Sequence, residues 1–153
     1  MAAQPPSATS STTRTASSTN WKLGSRDRLY LSACTGYDKF YARTKDADSA
    51  DYSKVDSGRG WGNLASALRW NHVVHDQLFM NIHFTYTKYQ FNIGITQEDH
   101  RRDETQRSSL RYLSNIRDLS LKTDLDYVPN PDRYIRFGGQ YILHSCRPGV
   151  LQF

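Results

Sequence analysis

The chain has 153 residues and a formal net charge of +5, and only 37% of its residues are apolar although 12% are aromatic. No apolar run is longer than three residues, which excludes a transmembrane helix of about 20 apolar residues. Residues 1–20 also contain no apolar stretch of the kind that a secretory signal requires. Aromatic residues favour strands, so the composition predicts a β protein. A β protein with so few apolar residues would not fill a two-layer core.

Charge and cysteine content exclude several classes of site. The 20 Lys and Arg residues are scattered along the chain and interleaved with Asp, whereas a nucleic-acid-binding protein clusters them. The sequence therefore predicts a solvated basic surface and no nucleic-acid partner. His72 and His75 flank a predicted turn and show no metal-ligand spacing. No nucleophile and base, phosphate loop or carboxylate pair stands out, so we expect no enzyme activity, catalytic residue, cofactor or metal.

Residues 1–20 form a separate segment, because fourteen of them are Ser, Thr or Ala. Such a segment cannot bury enough apolar surface to offset the entropy lost on ordering. We therefore expect residues 1–20 to be disordered. The structured part, residues 21–153, begins near Trp21.

From there apolar and polar residues alternate with period two, which predicts strands. Five strands are predicted, over 28–41, 60–73, 78–95, 111–128 and 133–145. Beyond Lys88 the apolar phase reverses, which predicts a bulge or a departure from the apolar environment. The third strand has the clearest alternation, with one face formed by Leu78, Met80, Ile82, Phe84 and Tyr86.

The connections alternate in length. The polar stretches 43–59 and 96–110 are predicted to be long solvated loops, whereas 75–76 and 129–132 are short turns. Short turns at one end and long loops at the other are typical of outer-membrane β-barrels. The nine residues 78–86 would cross a bilayer if the strand were tilted. This pattern predicts an all-β antiparallel meander of about five long strands, as a segment of a transmembrane β-barrel.

In such a barrel the apolar face contacts lipid and the other face lines a lumen. We expect interfacial girdles from aromatic residues near the strand ends, namely Trp61, Trp70, Tyr86, Tyr127, Tyr134 and Tyr141. Charged lumen residues mostly solvate the interior and pair across strands, so we assign none of them as ligand-binding. The lumen candidates are Arg69, Asn71, Asn81, His83, Lys122, Asp124, Arg136 and Gln140.

Several ordered phrases of the sequence resemble barrel strands of TonB-dependent outer-membrane receptors, most of all the Bacteroidetes type. The likeness covers about residues 22–153, and RPGV at 147–150 resembles the start of an outer loop. The phrases are DRLYLS at 27–32, GYDKFY at 36–41, WGNL at 61–64, LRWNH at 68–72, DYVP at 126–129 and YIRFGG at 134–139.

This resemblance implies a location in the outer membrane and a role in nutrient uptake. Receptors of that family have 22-stranded barrels closed by a plug domain, and they import metal chelates or glycans with energy from the TonB system. The partners implied are thus the lipid bilayer, a plug domain, the TonB energy-coupling system and a nutrient ligand that is not identified. With about five strands, we expect a fragment that does not transport by itself. We interpret the composition change near Asn20 as a truncated or out-of-frame gene start, which the upstream DNA would test.

Two other functions fit the alternation. A soluble β-sheet module could bind a carbohydrate-like ligand on its aromatic residues, and a basic β protein could bind nucleic acid. The meander order makes one further prediction. Cys34 on the first predicted strand and Cys146 at the end of the fifth are about 19 Å apart, too far for a disulfide. We therefore expect two free thiols.

Overall fold

The chain folds into a single antiparallel sheet, as the computed structural model of residues 4–48, 51–101 and 104–152 shows. Within those residues, each strand pairs with the next along the chain, and the sheet is not closed. The predicted all-β antiparallel meander is therefore confirmed. The strands are β1 (Gln4–Lys22), β2 (Asp27–Asp48), β3 (Asp51–His75), β4 (Leu78–Arg101), β5 (Glu104–Asn130) and β6 (Arg133–Gln152).

The first strand occupies the segment for which disorder was expected. Residues 4–22 form β1, which pairs with β2 from Gln4↔Lys45 to Lys22↔Arg28. Residues 1–3 lie outside the described residues. The expectation considered only side-chain burial, whereas the partner of β1 is the backbone of β2. Thr is β-branched and favours extended backbone, so a Thr-rich segment fits an edge strand without burying apolar surface.

The two predicted long loops are also strand. Residues 43–48 and 51–59 extend β2 and β3, and residues 96–101 and 104–110 extend β4 and β5. Residues 49–50 and 102–103, between those strands, lie outside the described residues. Charged residues cannot enter a core, but they are compatible with strands here because no second layer of described residues covers either face of the extensions. Opposite charges also pair across the strands, as in Arg43 and Asp56 at 2.7 Å.

The register of β4 is continuous past the position of the predicted bulge. Lys88 pairs with Leu64 and Arg117, and the pairing with β5 runs without a shift from Leu78 to Arg101. The bulge predicted beyond Lys88 is therefore wrong. The register shifts lie elsewhere, at Gln4/Ser7, Val73/His75, Leu113/Asn115 and Tyr127/Asn130. The shift at Leu113/Asn115 places the RPGV segment in an irregular part of β6.

Three tight connections lie at one end of the sheet, at 23–26, 76–77 and 131–132, and we call them the near turns. Leu29, Ile82 and Thr123 lie on one row of paired residues. From that row, the last pair of the near hairpin is one residue away on β2, four on β4 and six on β6, where Gly139 continues the row. The stagger is therefore five residues, or about 16 Å, over the four strand spacings of about 19 Å from β2 to β6. If the near turns are level, the strands are tilted by about 40–45°.

Among the described residues, the sheet has no buried apolar side chain. Many large apolar side chains are instead exposed, including Tyr141 at 65% and Phe137 at 54%. Cys34 on β2 and Cys146 on β6 are free, as expected from the strands between them. The fold is thus one layer whose apolar residues are not covered by any described part of the chain.

Candidate functional site

The register brings most of the large apolar residues nearer the turns of β2 to β6 onto one face, whereas Phe79, Ile116 and Ile142 lie on the other. Directly paired residues point to the same side of a sheet, and successive residues of a strand point to opposite sides. We call the uncharged residues of this face, from the near turns to the first charged residue, the apolar band. One row across its middle consists of Leu31, Leu68, Phe84, Leu121 and Tyr141.

The height of the apolar band can be worked out on β4. From Leu78, next to its near turn, to Lys88, the first charged residue on this face, are ten residues. At about 3.3 Å per residue and a tilt of about 45°, these ten residues rise about 23 Å. The lipid-facing band of outer-membrane barrels is about 25 Å tall. The apolar band is therefore about as tall as the lipid-facing band of such a barrel.

The register corrects the predicted aromatic girdles. Trp70, Tyr86, Tyr127 and Tyr141 have the parity of the apolar band, because they pair with Ile82, Leu119, Leu78 and Leu121. Trp61 pairs with Phe91 and has the opposite parity, as does Tyr134, the neighbour of Ile135 in sequence. Nearness to a strand end does not fix the face of a residue. Trp61 and Tyr134 thus cannot belong to a lipid-facing girdle.

At its near edge the apolar band carries a hydrogen-bonded group around Asp27. The Trp70 indole N–H donates to Asp27 Oδ1 at 3.0 Å, and His72 Nδ1 lies 2.7 Å from the same oxygen. The hydrogen bond with His72, followed by that with Trp70, lowers the pKa of Asp27. An indole with an apolar body and a satisfied N–H suits an interface between apolar and wet surroundings.

All eight lumen candidates lie on the opposite face, which we call the polar face. Seven of them lie in two successive rows of directly paired residues, three in the first row and four in the second. The eighth, Arg136, lies on β6 and pairs with Asp126. Their contacts are mostly with one another or with neighbouring strands. Lys122 Nζ is 3.1 Å from Asp124, and the Arg69 guanidinium lies 4.2 Å from the centre of the Tyr30 ring. The first row contains Asn71, Asn81 and Asp124, and the second contains Arg69, His83, Lys122 and Gln140.

The best-connected polar residue is Asp126, which was not among the lumen candidates. It is 9% exposed and accepts hydrogen bonds from the Arg136 guanidinium at 2.5 and 3.1 Å and from the Tyr134 hydroxyl at 2.5 Å. Asn81 also donates to it at 3.4 Å. A bidentate guanidinium–carboxylate pair fixes geometry as well as charge. The sequence could have indicated this pair, because Asp126 and Arg136 lie at nearly equal distances before and after the near turn at 131–132 and pair directly across the hairpin.

Small residues leave two shallow cavities on the polar face. One, of about 340 Å³, is floored by residues such as Ala16, Cys34 and Ala65 across β1 to β3. The other, of about 360 Å³, lies beside it and is lined in part by Tyr30, Arg69 and His83. The polar face could therefore accept another chain or a ligand at this level.

Further from the near turns, the polar face becomes aromatic and aliphatic. Phe91 and Tyr112 make an edge-to-face contact with ring centroids 6.5 Å apart. Trp61 is the paired residue of Phe91 on β3. These rings lie where the apolar phase of β4 reverses, so the reversal marks a change of environment rather than a bulge.

In the described ranges, no three His, Cys, Asp or Glu side chains are grouped in a way that could hold a metal ion. His72 is paired with Asp27, and His75 Nδ1 accepts a hydrogen bond from the Gln77 amide at 3.3 Å. None of the described residues forms a helix long and apolar enough to cross a membrane.

Comparison with known proteins does not assign the chain to a family. No family model matches the chain, and no curated protein matches it. Among solved structures, a KdgM porin in complex with disordered oligogalacturonate is similar over 94% of this chain and 98% of that one. The identity is 13% and the TM-score is 0.15. A TM-score this low does not establish a shared fold, and no function is taken from it.

Proposed function

We propose that this chain is part of an outer-membrane β-barrel, with the apolar band against lipid and the polar face towards a lumen. The observation that carries the proposal is the apolar band itself. It is continuous over β2 to β6, and no described part of the chain covers it. Soluble monomers rarely expose continuous apolar patches of more than a few hundred Å². In a bilayer the apolar band would contact lipid instead of water, so no second layer of protein would be needed to cover it.

The geometry of the strands supports the same proposal. The tilt of about 45° derived from the near turns is close to the range of about 35–45° in membrane barrels. The height of about 23 Å for the apolar band is close to the lipid-facing height of those barrels. A soluble sheet would have no reason to combine this stagger with charge-free stretches of this length on one face.

The sheet must gain strands before it can span a membrane. Within the described residues, its outer strands, β1 and β6, each pair on one side only. An unpaired N–H or C=O group in hydrocarbon costs several kcal/mol, so membrane sheets close into barrels. We infer that further strands pair with β1 and β6 in the functional assembly, and that the described sheet does not transport alone.

For the kind of barrel, we propose a TonB-dependent receptor that takes up a nutrient such as a metal chelate or a glycan. The support is the set of phrases in the sequence that resemble those receptors. They fall on β2, β3 and the β5–β6 hairpin, the strands that carry the apolar band. In such a receptor the aromatic residues of the polar face, Trp61, Phe91 and Tyr112, would lie beyond the lipid where a ligand enters.

The same aromatic residues favour a second candidate, a soluble module that binds a carbohydrate-like ligand. Fractionation of the purified full chain separates the two. A barrel segment should aggregate in buffer, partition onto phosphatidylcholine vesicles and stay there in high salt. A chain that is a soluble monomer and does not bind those vesicles would contradict the barrel proposal and support the soluble carbohydrate-binding module.

The receptor proposal has its own test. The DNA on both sides of this reading frame should encode a plug domain and further barrel strands in some frame. If it encodes neither, while the chain still partitions onto vesicles, the barrel proposal stands and the receptor proposal fails.

A further inference from the structure

The apolar band ends at a basic side chain on four of its five strands. On each of these strands that side chain is the first charged residue on the face of the band, apart from Asp27 and Arg133, which lie directly beside the near turns. We call this set the cation girdle. Its members are Lys39 on β2, Lys88 on β4, Arg117 on β5 and Arg147 on β6.

These four residues lie at similar heights. Counted from the last pair of its own near hairpin, Lys39 is eleven residues away, Lys88 ten, Arg117 thirteen and Arg147 fourteen. With about 3.3 Å per residue and a tilt of about 45°, their heights are about 23–33 Å above the near turns. The cation girdle therefore lies just beyond the far edge of the apolar band, where hydrocarbon gives way to head groups.

No carboxylate among the described residues forms an ion pair with the cation girdle. Lys88 and Arg117 are directly paired across β4 and β5. Like charges directly opposite each other destabilise a sheet. An anion from outside the chain would offset the repulsion between these two side chains. The remaining strand, β3, differs because its first charge on this face is Asp56, which already pairs with Arg43 and Lys54 at 2.7 and 3.0 Å.

A cavity of about 400 Å³ adjoins the cation girdle on the same face. Its floor includes Gly58 and Gly94, where a Cβ atom would meet no side chain closer than 3.8 Å. Tyr37 and Lys39 are among its lining residues, with the Lys39 ammonium 5.1 Å from the centre of the Tyr37 ring. A recess with aromatic and basic walls can accept a polar head group that projects beyond the hydrocarbon.

We propose that the cation girdle binds anionic phospholipids, whose phosphate carries an uncompensated negative charge, at the far edge of the apolar band. This inference rests on the proposed barrel function and adds a lipid class to it. From β2 to β6 the girdle spans about 19 Å, which is too wide for one phosphate ion. A lipid layer presents many phosphates at one level, and it meets the band at the height where the girdle lies. Each basic residue near an anionic surface contributes about 1 kcal/mol to binding.

The test compares two variants of the full chain on two kinds of vesicle. The first, K39Q/K88Q/R117Q/R147Q, removes the cation girdle. The matched control, R14Q/R28Q/R69Q/K122Q, removes the same charge from the polar face, to which Arg14, Arg28, Arg69 and Lys122 belong by register. Partitioning is measured by sedimentation with phosphatidylcholine vesicles and with vesicles that also contain phosphatidylglycerol.

The unchanged chain should bind the phosphatidylglycerol vesicles more tightly. Loss of the girdle should weaken that binding about fivefold per cation, and thus several hundredfold for four, while the control should lose no more than about fivefold. Binding to phosphatidylcholine vesicles should be similar for all three proteins. Inorganic phosphate at the same ionic strength as a chloride control should not compete any better than chloride.

Each of the other outcomes would overturn either the girdle proposal alone or both proposals. Equal losses for the two variants, or equal binding of the unchanged chain to both vesicles, would overturn the girdle and leave the barrel proposal intact. Specific competition by inorganic phosphate would show a site for a free anion and would also overturn it. Failure to bind either vesicle would overturn the barrel proposal together with the girdle.

Discussion

Replacing Phe84 by Arg tests the central assignment, that the apolar band faces lipid. Phe84 lies six residues from Leu78, which places it about 14 Å above the near turns for a tilt of about 45°. That height is close to the middle of a band about 25 Å tall. Its paired neighbours, Leu68 and Leu121, carry no group that could neutralise a guanidinium. An Arg at the midplane of a barrel's lipid face costs about 2–4 kcal/mol.

The matched control is Thr85→Arg, one residue further along β4. Thr85 faces the polar side, where its paired residues Ala67 and Ser120 are small and leave room for a longer side chain. We expect Phe84→Arg to weaken partitioning onto phosphatidylcholine vesicles by about 30-fold to several hundredfold, since every 1.4 kcal/mol is a factor of about ten. Thr85→Arg should change it by less than about tenfold. Equal effects of the two variants, or a larger effect of Thr85→Arg, would refute the assignment of faces.

Three further predictions follow from individual contacts. Asp126→Asn removes the charge that holds Arg136 and Tyr134, so backbone amides near the 131–132 turn should exchange hydrogen faster. Asp124→Asn should leave that exchange nearly unchanged, because Asp124 pairs with the exposed Lys122 and makes no hydrogen bond to Arg136. Burial raises the pKa of Asp56, but hydrogen bonds from Arg43, Lys54 and Tyr41 lower it overall to about 2. Because this pKa lies below the value of about 3.9 in an unfolded chain, the pairing of the β2–β3 extension should be fully stabilised above about pH 4 and weakened as pH falls through about 2; a carboxyl titration by NMR with a midpoint near 3.9 would contradict this. Mild oxidation of the monomer should leave Cys34 and Cys146 unlinked, and peptide mapping that finds a bond between them would contradict the strand order.

The parity of most strands could be predicted from the sequence, because alternation is a local property. Leu78, Ile82 and Phe84 share a face in any strand that contains them, and the same holds for the apolar positions of the other four predicted strands. The register shows that these five faces coincide. The eight lumen candidates could be placed on the opposite face for the same reason.

Residues outside that alternation were harder to predict. Trp61 and Tyr134 were assigned to a girdle by their nearness to strand ends, but parity places them on the polar face. Asp126 was visible only as one of several acidic residues, and its importance comes from Arg136 and Tyr134, which reach it across the hairpin.

By itself the sequence determined the β class, the two-faced character of β2 to β6 and the absence of a sufficient two-layer core. Only the tertiary structure decided that residues 4–22 form a strand, that the polar stretches around 43–59 and 96–110 continue the strands, and that the four residues of the cation girdle share the face of the apolar band. The physical reason is that strand pairing is made by backbone groups, which every residue except proline carries in full. Side-chain patterns reveal which face of a strand is apolar, but the partner and the stagger are set by hydrogen bonds between segments distant in sequence.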